Sequence, residues 1–245
     1  MKLENKTIVL TGGSSGVGLD LLSRLIEHNA IINLSRSTPP IAATVGSAEF
    51  RHIPTDLADT VSVAGAILDI KDSYPEGVDG LINCGAVQFL PQFTAKDFEH
   101  SSIAKEIAIN LVSPAELISG LLAGMLQRPQ AFVLNVNSGL GIVPKRESAI
   151  YCATKAGLDN LTRSLRAQLA DTNVRMQQAF LPLVDTPMTR GRGSGKISSA
   201  SFADLIIRQI ESGKPDLNIG KVKLLRAINR MSPSLANRIM QKGES

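Results

Sequence analysis

Aromatic residues, cysteine and histidine are scarce in this chain of 245 residues, which has no tryptophan, two tyrosines, two cysteines and three histidines. Two cysteines exclude a disulfide framework and a cysteine-rich zinc site, and the histidines never fall at ligand spacing, so we expect no metal. The few aromatic residues are not interleaved with basic ones, so we expect no nucleic-acid partner. The first ten residues hold one short apolar run, which predicts neither a signal peptide nor an anchor and favours a cytoplasmic protein.

The remaining composition is that of a folded domain, because 43% of the residues are hydrophobic and 20% are charged, which excludes a disordered chain. No linker rich in proline, glycine or serine divides the chain before residue 187, so one domain over residues 1–245 is the simplest organisation. The net charge is +4, and basic residues collect in a predicted C-terminal helix at 221–242. That helix is either a solvated surface helix or a contact for a membrane surface or an acidic partner.

Short apolar runs alternate with segments of helical periodicity along the chain. The runs are apolar throughout, which is typical of strands buried on both faces of a parallel sheet. The predicted fold is therefore α/β, a doubly wound parallel sheet in three layers with right-handed crossovers. Strands are expected at 7–11, 30–34, 51–54, 81–83, 131–136 and 174–180, and the main helices at 16–28, 57–70 and 151–170.

Residues 107–126 form the longest apolar stretch, and its length matches that of a membrane span. Polar residues and a proline interrupt it, however, among them Asn110, Pro114 and Glu116. We therefore predict a helix buried between the sheet and a partner subunit, without membrane contact.

A glycine-rich turn, TGGSSGVG at Thr11–Gly18, lies directly after the first predicted strand and directly before the first predicted helix. Glycines permit a tight turn and a close approach of the backbone to a ligand, and a helix N-terminus offers N–H groups to an anion. Strand, turn and helix in this order predict a site for the pyrophosphate of a dinucleotide, although the spacing differs from GxGxxG. The residues expected there are Gly12, Ser14, Ser15, Gly16, Val17 and Gly18.

The end of the second predicted strand indicates which dinucleotide is bound. An acidic residue there would accept the ribose 2′-hydroxyl of NAD, but this chain has Ser35, Arg36 and Ser37. A guanidinium beside hydroxyl groups suits a 2′-phosphate, which favours NADP(H) over NAD(H). The alternative is that Arg36 is a surface residue that stacks on the adenine. Asp56 comes too late in the sequence for the ribose and better suits the adenine end.

Two residues on the predicted helix at 151–170, Tyr151 and Lys155, are four positions apart and therefore project from the same face. A tyrosine with its usual pKa near 10 is a poor acid or base at neutral pH. A nearby ammonium and an oxidised nicotinamide would favour the phenolate, and lowering the pKa to about 7 takes roughly 4 kcal/mol. Ser138 follows the strand at 131–136, at the carboxyl edge of the sheet, where its hydroxyl can orient a carbonyl group.

With these residues the chain resembles the classical short-chain dehydrogenases/reductases over nearly its whole length. The family implies a Rossmann-like fold and a homodimer or homotetramer built on the helices near Asn110 and Tyr151. The last 25 residues or so, with IGKVKLLRAINRMSPSLANRIM, resemble the branch named after an oxidoreductase of the teichoic-acid D-alanylation cluster. The matching motifs are TGGSSGVG, NCGA at Asn83–Ala86, Asn110, Ser138, YCATK at Tyr151–Lys155 and LPLVDT at Leu181–Thr186.

The resemblance implies a role for each matching residue. Tyr151 would act as general acid in reduction and as general base in oxidation, while Lys155 would hold the nicotinamide ribose and tune the phenol. Ser138 would bind the substrate oxygen, and Asn110 would support a water in a proton relay. The other cofactor contacts would be Asp56, Leu57 and Asn83 on the adenosine side, Cys84 and Gly85 beside them, and Pro182, Val184 and Thr186 towards the nicotinamide.

Pro114 bears on the relay, because it has no N–H group to bond the carbonyl of residue 110 within a helix. We therefore expect the helix to break locally and the Asn110 carbonyl to be free. A free buried carbonyl needs a partner, and we predict that the relay water supplies it.

Two motifs depart from the family pattern. In Asn83–Ala86 the small residues are exchanged, and Ala86 does not easily adopt a positive φ, while Leu181 and Pro182 replace the usual Pro-Gly. Cys84 lies inside the first of these motifs and Cys152 inside YCATK, and both are expected to be small buried residues rather than nucleophiles.

Residues 187–200 follow the last motif and are rich in glycine, serine and basic residues. They are expected to form either a mobile lid over the substrate or an unstructured surface loop. Arg190, Arg192 and Lys196 are candidates for contact with an anionic substrate or a cofactor phosphate. The candidate pocket walls are mainly apolar, which favours a ketone or aldehyde on a hydrophobic frame; they are Gln88, Leu140, Val143 and Met188.

The sequence thus predicts an NADP(H)-dependent oxidoreductase that interconverts a carbonyl and an alcohol on a small molecule by hydride transfer. The alternative within the same fold is a regulatory or structural protein that binds NADP(H) without turnover. A membrane-associated partner protein would rest only on the basic C-terminal helix.

Overall fold

The computed structural model describes residues 1–40 and 49–242, so the remainder of the predicted domain lies outside the described residues. The strands in the described part are β1 (Thr7–Thr11), β2 (Ala30–Ser35), β3 (Phe50–Pro54), β4 (Gly80–Asn83), β5 (Ala131–Ser138), β6 (Val174–Leu181), β7 (Val184–Asp185), β8 (Ile197–Ser198) and β9 (Asp216–Asn218). The α-helices are α1 (Gly16–Leu25), α2 (Thr60–Ser73), α3 (Ser101–Ile107), α4 (Ser113–Met125), α5 (Ala149–Gln168), α6 (Ser199–Ser212), α7 (Lys221–Met231) and α8 (Pro233–Lys242).

Seven strands form one sheet in the order β3-β2-β1-β4-β5-β6-β9, and every neighbouring pair is parallel. The chain builds outward from β1 to β3 and then returns to the other side of β1 at β4. The predicted doubly wound sheet is therefore confirmed, and the order reverses between β1 and β4. At such a switch point the loops after the strands diverge and leave a crevice at the carboxyl edge.

Both faces of the sheet are buried, as the solidly apolar strands indicate. Ile8 and Leu10 of β1 belong to a core cluster with Leu21 of α1 and Ile206 of α6. Val9, between them, belongs to a second cluster with Leu117 of α4. Because successive side chains of a strand point to opposite faces, helices must cover both sides, which produces the three layers.

The long apolar stretch is a continuous helical run in which α3 and α4 are joined by a π-helical turn at Ala108–Val112. At this turn the Ser113 N–H bonds the Ala108 carbonyl, five residues back instead of four. Pro114 lies in the first turn of α4, where its missing N–H is tolerated. The predicted local break thus takes the form of a widened turn, a feature found often at functional sites.

By length and composition, Ser101–Met125 is the one helical run in the described residues that matches a membrane span, with a mean hydropathy of 1.5. Its inner side packs on the sheet, where Leu117 and Leu121 are buried. Its outer side leaves Ile107 and Leu126 exposed to 37% and 42%. The expected packing of this helix against the sheet is therefore observed, and its packing against a partner subunit stays a prediction.

The C-terminal part differs from the predicted single helix at 221–242, because two helices, α7 and α8, meet at Ser232. Ser232 is extended, with φ −150° and ψ 92°, since the residue before a proline avoids the helical region. The predicted loop at 187–200 holds a 3₁₀ turn at Pro187–Thr189 and strand β8, and α6 begins at Ser199. Movement of this loop stays a prediction.

Candidate active site

Ser138 and Tyr151 lie close together at the carboxyl edge of the sheet, where burial raises the pKa of Tyr151 and the Ser138 hydroxyl opposes the rise. Ser138 is the last residue of β5, and its Oγ accepts from the Leu140 N–H at 3.1 Å. Both residues are buried, with 8% of the surface of each exposed. A Cβ on Gly141 would lie 2.7 Å from the carbonyl carbon of Lys155, so only glycine lets this turn pack on α5 and bring the two hydroxyls together.

Lys155 lies one turn after Tyr151 on α5 and is 3% exposed. Its Nζ donates to the Val136 carbonyl at 2.9 Å and stands 5.7 Å from the centre of the Tyr151 ring. Burial lowers the pKa of Lys155 to about 8, against the opposing effect of Cys84 and Glu106. The ammonium form therefore still predominates at pH 7.

The expected lowering of the Tyr151 pKa towards 7 needs Lys155 and an oxidised nicotinamide together, and it stays a prediction for the complex with the cofactor. In the chain by itself the Tyr151 pKa lies higher. Burial raises it to about 12, while the Ser138 hydroxyl and the charge of Arg192 act in the opposite direction. Burial is the largest of the effects on the pKa of Tyr151 in the chain by itself. At neutral pH the phenol is protonated, which is the form that can donate a proton.

The Asn110 side chain joins the segment after β4 to the helix that carries Tyr151. Its Oδ1 accepts from the Val87 N–H at 3.0 Å, and its Nδ2 donates to the Val87 carbonyl at 2.8 Å and to Thr154 Oγ1 at 3.3 Å. Asn110 is 1% exposed. The relay water on its backbone carbonyl stays a prediction.

Glu106, a site residue that the sequence analysis missed, lies one turn before Asn110 and is only 2% exposed. Its Oε1 accepts from the Phe89 N–H at 3.1 Å. Burial raises its pKa to about 7, and the Phe89 hydrogen bond and the charge of Lys155 oppose the rise. Its position could have been recognised from the sequence, because Glu106 directly precedes the apolar stretch at 107–126 and lies one helical turn before Asn110.

The glycine turn has the tight geometry that its sequence predicts. Gly12 has φ +76°, and a Cβ there would lie 2.8 Å from the Cα of Gly85. A Cβ on Gly18 would lie 2.1 Å from the Gly12 carbonyl oxygen. Ser15 precedes α1 in an extended conformation, and its side chain makes no capping hydrogen bond. The helix N-terminus therefore fits the anionic pyrophosphate that the turn predicts.

Asn33, which the sequence analysis did not select, organises the turn from β2. Its Oδ1 accepts from the Gly13 N–H at 2.9 Å, and its Nδ2 donates to Ser35 Oγ at 2.8 Å. Arg36 follows and is exposed, and no carboxylate within residues 1–40 and 49–242 pairs with it. An unpaired guanidinium beside two serine residues fits a phosphate group.

The predicted adenosine side has an unusual feature at Asn83. Its Nδ2 donates to Asn135 Oδ1 at 2.8 Å, but its own Oδ1 is buried and has no hydrogen-bond partner among the described residues. A buried acceptor without a partner fits a ligand donor. Asp56 Oδ1 accepts from the Ala58 N–H at 2.9 Å, so this carboxylate orders the loop after β3.

The exchanged small residues at Asn83–Ala86 are accommodated without strain. Thr11 Oγ1 accepts from the N–H groups of both Cys84 and Gly85, at 3.0 and 2.9 Å. Neither Gly85 nor Ala86 has a positive φ, so the expected difficulty at Ala86 does not arise. Gly85 is needed for space, because a Cβ there would lie 2.6 Å from Leu57 Cδ1.

The two thiols are poor nucleophiles. Burial raises the pKa of Cys84 to about 12, although the charge of Lys155 lowers it. Burial also raises the pKa of Cys152. Both thiols are therefore neutral at pH 7, as expected for structural cysteines.

The last motif lies beside the glycine turn. Val184 of β7 is buried, and Thr186 approaches Gly16, whose added Cβ would lie 3.3 Å from Thr186 Cγ2. Pro182 is half-buried between β6 and β7. Among the expected pocket walls, Val143 is 1% exposed and therefore a core residue. Gly12, Ser35, Asp56, Asn83 and Ser138 lie at or just after the carboxyl ends of neighbouring parallel strands and therefore share one edge of the sheet.

Comparisons with known proteins identify the family and the fold of this chain. Residues 6–196 match the family model for short chain dehydrogenases. The "uncharacterized oxidoreductase DltE" of Bacillus subtilis is 30% identical over 238 residues, which cover 94% of each chain. A short chain dehydrogenase from Burkholderia cenocepacia, in complex with NADP, has a TM-score of 0.86 at 21% identity and covers 98% of this chain and 99% of its own. One from Sphingobium yanoikuyae, in complex with NADPH, has a TM-score of 0.80 at 17% identity and covers 98% of both chains.

The two structures share the Rossmann fold with this chain, while the family model and the relative identify its family. The predicted resemblance, including the branch that the C-terminal segment indicated, is confirmed. The chain belongs to the short-chain dehydrogenase/reductase family, near the branch of DltE, and is an NAD(P)-dependent short-chain oxidoreductase.

Proposed function

We propose that this protein is an NADP(H)-dependent oxidoreductase that interconverts a carbonyl and an alcohol on a small molecule, with Tyr151 as general acid and base. The observation that carries the proposal is the burial of Ser138 and Tyr151 side by side at the sheet edge, with the Lys155 Nζ 5.7 Å from the centre of the Tyr151 ring. Lys155 stands behind this pair, and the glycine turn lies at the same edge.

A bound nicotinamide would supply the hydride in reduction and accept it in oxidation. In reduction, the protonated Tyr151 gives its proton to the carbonyl oxygen, which becomes the alcohol oxygen. The Ser138 hydroxyl donates to the same oxygen and stabilises the charge that develops there. The Lys155 ammonium stabilises the phenolate that remains, and a water on the Asn110 carbonyl returns the proton.

NADP(H) is the proposed cofactor rather than NAD(H). Arg36 offers an exposed, unpaired guanidinium at the end of β2, beside Ser35 and Ser37. Two similar solved structures are complexes with NADP and with NADPH. Both observations support recognition of a 2′-phosphate.

The test follows NADPH consumption with a panel of ketones and aldehydes. Tyr151→Phe should lower kcat by roughly 10²–10⁴-fold while NADPH affinity stays nearly unchanged. The other tyrosine of the chain supplies the control: Tyr74 lies on the surface, where its hydroxyl donates to Glu49 at 2.8 Å, so Tyr74→Phe should leave the rate unchanged. Tight NADPH binding without turnover across the panel would overturn the proposal and favour a cofactor-binding regulatory protein.

We also infer a cytoplasmic homodimer or homotetramer. The exposed Ile107 and Leu126 on the outer side of the 101–125 run support a subunit contact there. Light scattering on the purified chain tests this, and a monomer at every concentration would contradict it.

A further inference from the structure

The side chain of Arg192, in the loop between β7 and β8, contacts Gln88 and Met188, two of the predicted walls of the substrate pocket. Its Nη1 donates to Gln88 Oε1 at 2.7 Å, and its Nη2 donates to the Met188 carbonyl. Arg192 is partly buried. Burial raises the pKa of Tyr151, and the charge of Arg192 is one of the effects that oppose the rise, so the guanidinium is close enough to act on the phenol.

The charge of Arg192 is not neutralised by the described part of the chain, where no carboxylate lies within 4 Å of it. The neighbouring cation, Lys196, is satisfied differently, by Asp185 at 3.4 Å and the Thr189 carbonyl at 2.6 Å. Arg190 points to solvent. A partly buried guanidinium bonded only to neutral oxygens is a costly arrangement unless a ligand supplies an anion.

Gln88 holds Arg192 in place, because its amide is fixed at both ends. While its Oε1 accepts from Arg192, its Nε2 donates to Ser148 Oγ at 3.0 Å. Ser148 directly precedes α5 and lies three residues before Tyr151. On the backbone, the residues on either side of Gln88 are bonded to Asn110 and Glu106. The guanidinium therefore has a defined position relative to the catalytic tyrosine.

We propose that Arg192, oriented by Gln88, binds a carboxylate of the substrate, so that the enzyme interconverts oxo acids and hydroxy acids. This inference rests on the proposed function and adds the substrate class. A guanidinium presents two parallel N–H groups that match a carboxylate. Its single unbalanced charge matches the single negative charge of a carboxylate, and this is the ligand that we assign.

The experiment compares acids with their methyl esters, which have the same carbonyl and no charge. NADPH consumption is measured with acetoacetate, 3-oxohexanoate and 4-oxopentanoate and with the ester of each. We expect kcat/KM to favour at least one acid over its ester by about tenfold or more. Arg192→Met should abolish this preference, so that the acid is turned over no better than its ester, and Arg192→Lys should restore part of the preference.

Two matched variants test the assignment to Arg192. Arg190→Met removes an exposed cation from the same loop, and Arg146→Met removes one that lines a cavity of about 230 Å³ beside Ser148. Both should keep the preference for the acid. Loss of the preference in Arg146→Met but not in Arg192→Met would overturn the assignment, and so would stronger turnover of hydroxyacetone phosphate than of any acid.

A binding measurement separates this inference from the proposed function. Calorimetry follows 3-hydroxybutyrate, 3-hydroxyhexanoate and their methyl esters as they bind the enzyme with NADPH, a combination that cannot react. Tighter binding of an acid, lost in Arg192→Met, would uphold the carboxylate site even if no carbonyl compound were turned over. Turnover of carbonyl compounds without any preference for acids, in rate or in binding, would overturn the site and leave the proposed function intact.

Discussion

Glu106 and Asn110 stand one helical turn apart and hold two N–H groups of the same segment, those of Phe89 and Val87. N–H groups two residues apart point the same way in an extended segment, so both can face one helix. The pair fixes the backbone on either side of Gln88, whose side chain accepts a hydrogen bond from Arg192. A carboxylate with a pKa of about 7 is thus part of the framework of the site.

The first prediction concerns the stability of Glu106→Gln. In the folded protein the pKa of Glu106 is about 7, against an ordinary value of 4.5, so the folded state holds the proton more tightly. Its contribution to stability is present below about pH 4.5 and is lost as the pH rises towards 7. We therefore expect the free energy of unfolding of Glu106→Gln, relative to that of the wild type, to increase between pH 5 and pH 8 by on the order of 1–3 kcal/mol.

Urea unfolding of both proteins between pH 5 and pH 8 measures this difference in the free energy of unfolding. Glu99→Gln, at an exposed position near the start of α3, is the control and should show no trend. A constant difference between Glu106→Gln and the wild type at every pH would contradict the raised pKa.

The second prediction concerns the alkaline limit of activity. The pKa of Lys155 is lowered to about 8 by burial, and the proposed chemistry needs its ammonium form. The value of kcat/KM for NADPH, which reports groups of the free enzyme, should therefore decline above about pH 8. Because the carboxylate of Glu106 raises the pKa of Lys155, Glu106→Gln should shift this decline to lower pH. A decline at the same pH in both proteins would show that Lys155 does not set it.

The third prediction concerns the choice of cofactor. Arg36→Asp places a negative charge where the 2′-phosphate is proposed to bind, so the preference for NADPH over NADH should fall by roughly tenfold or more. Arg36→Lys keeps a positive charge and should retain part of the preference. The ratio of kcat/KM for the two cofactors is the measurement, and an unchanged ratio in Arg36→Asp would disprove the assignment.

The fourth prediction compares two glycines. In Gly18→Ala the new methyl group would lie 2.1 Å from the Gly12 carbonyl oxygen, so the turn must shift, and we expect a loss of about 1–3 kcal/mol of stability and much weaker NADPH binding. Gly65 lies inside α2 with no atom within 4 Å of an added Cβ. Gly65→Ala should raise stability by about 0.5–1 kcal/mol and leave binding unchanged. NADPH titration and thermal unfolding measure both effects, and equal NADPH affinity in the two variants would contradict the account of the turn.

Local features of the site were predictable because they depend on neighbouring residues. The strand, turn and helix around Gly12 and Gly18 follow from an apolar run, then glycines, then helical spacing. The shared face of Tyr151 and Lys155 follows from helix geometry alone. The break before Pro114 was predictable for the same reason, although its form as a π-helical turn was not, because competing backbone hydrogen bonds decide it.

Other features depend on contacts between distant segments. Gln88 and Arg192 are 104 residues apart in sequence, and nothing in either local pattern indicates their hydrogen bond. The burial of Glu106 could likewise not be predicted from the sequence, because an acidic residue in a helix usually faces solvent. The rise of the Tyr151 pKa in the chain by itself was not predictable either, since nearness to Lys155 in sequence gives no measure of desolvation.

The amino-acid sequence by itself determined the doubly wound fold, the position of the glycine turn and the residue types at the carboxyl edge of the sheet. These depend on periodicity, on the conformational freedom of glycine and on helix geometry, which all act over a few residues. The protonation of Glu106, Lys155 and Tyr151 and the unbalanced charge of Arg192 were decided only by the tertiary structure. Desolvation and charge pairing depend on which distant groups share a buried space, and only packing brings those groups together.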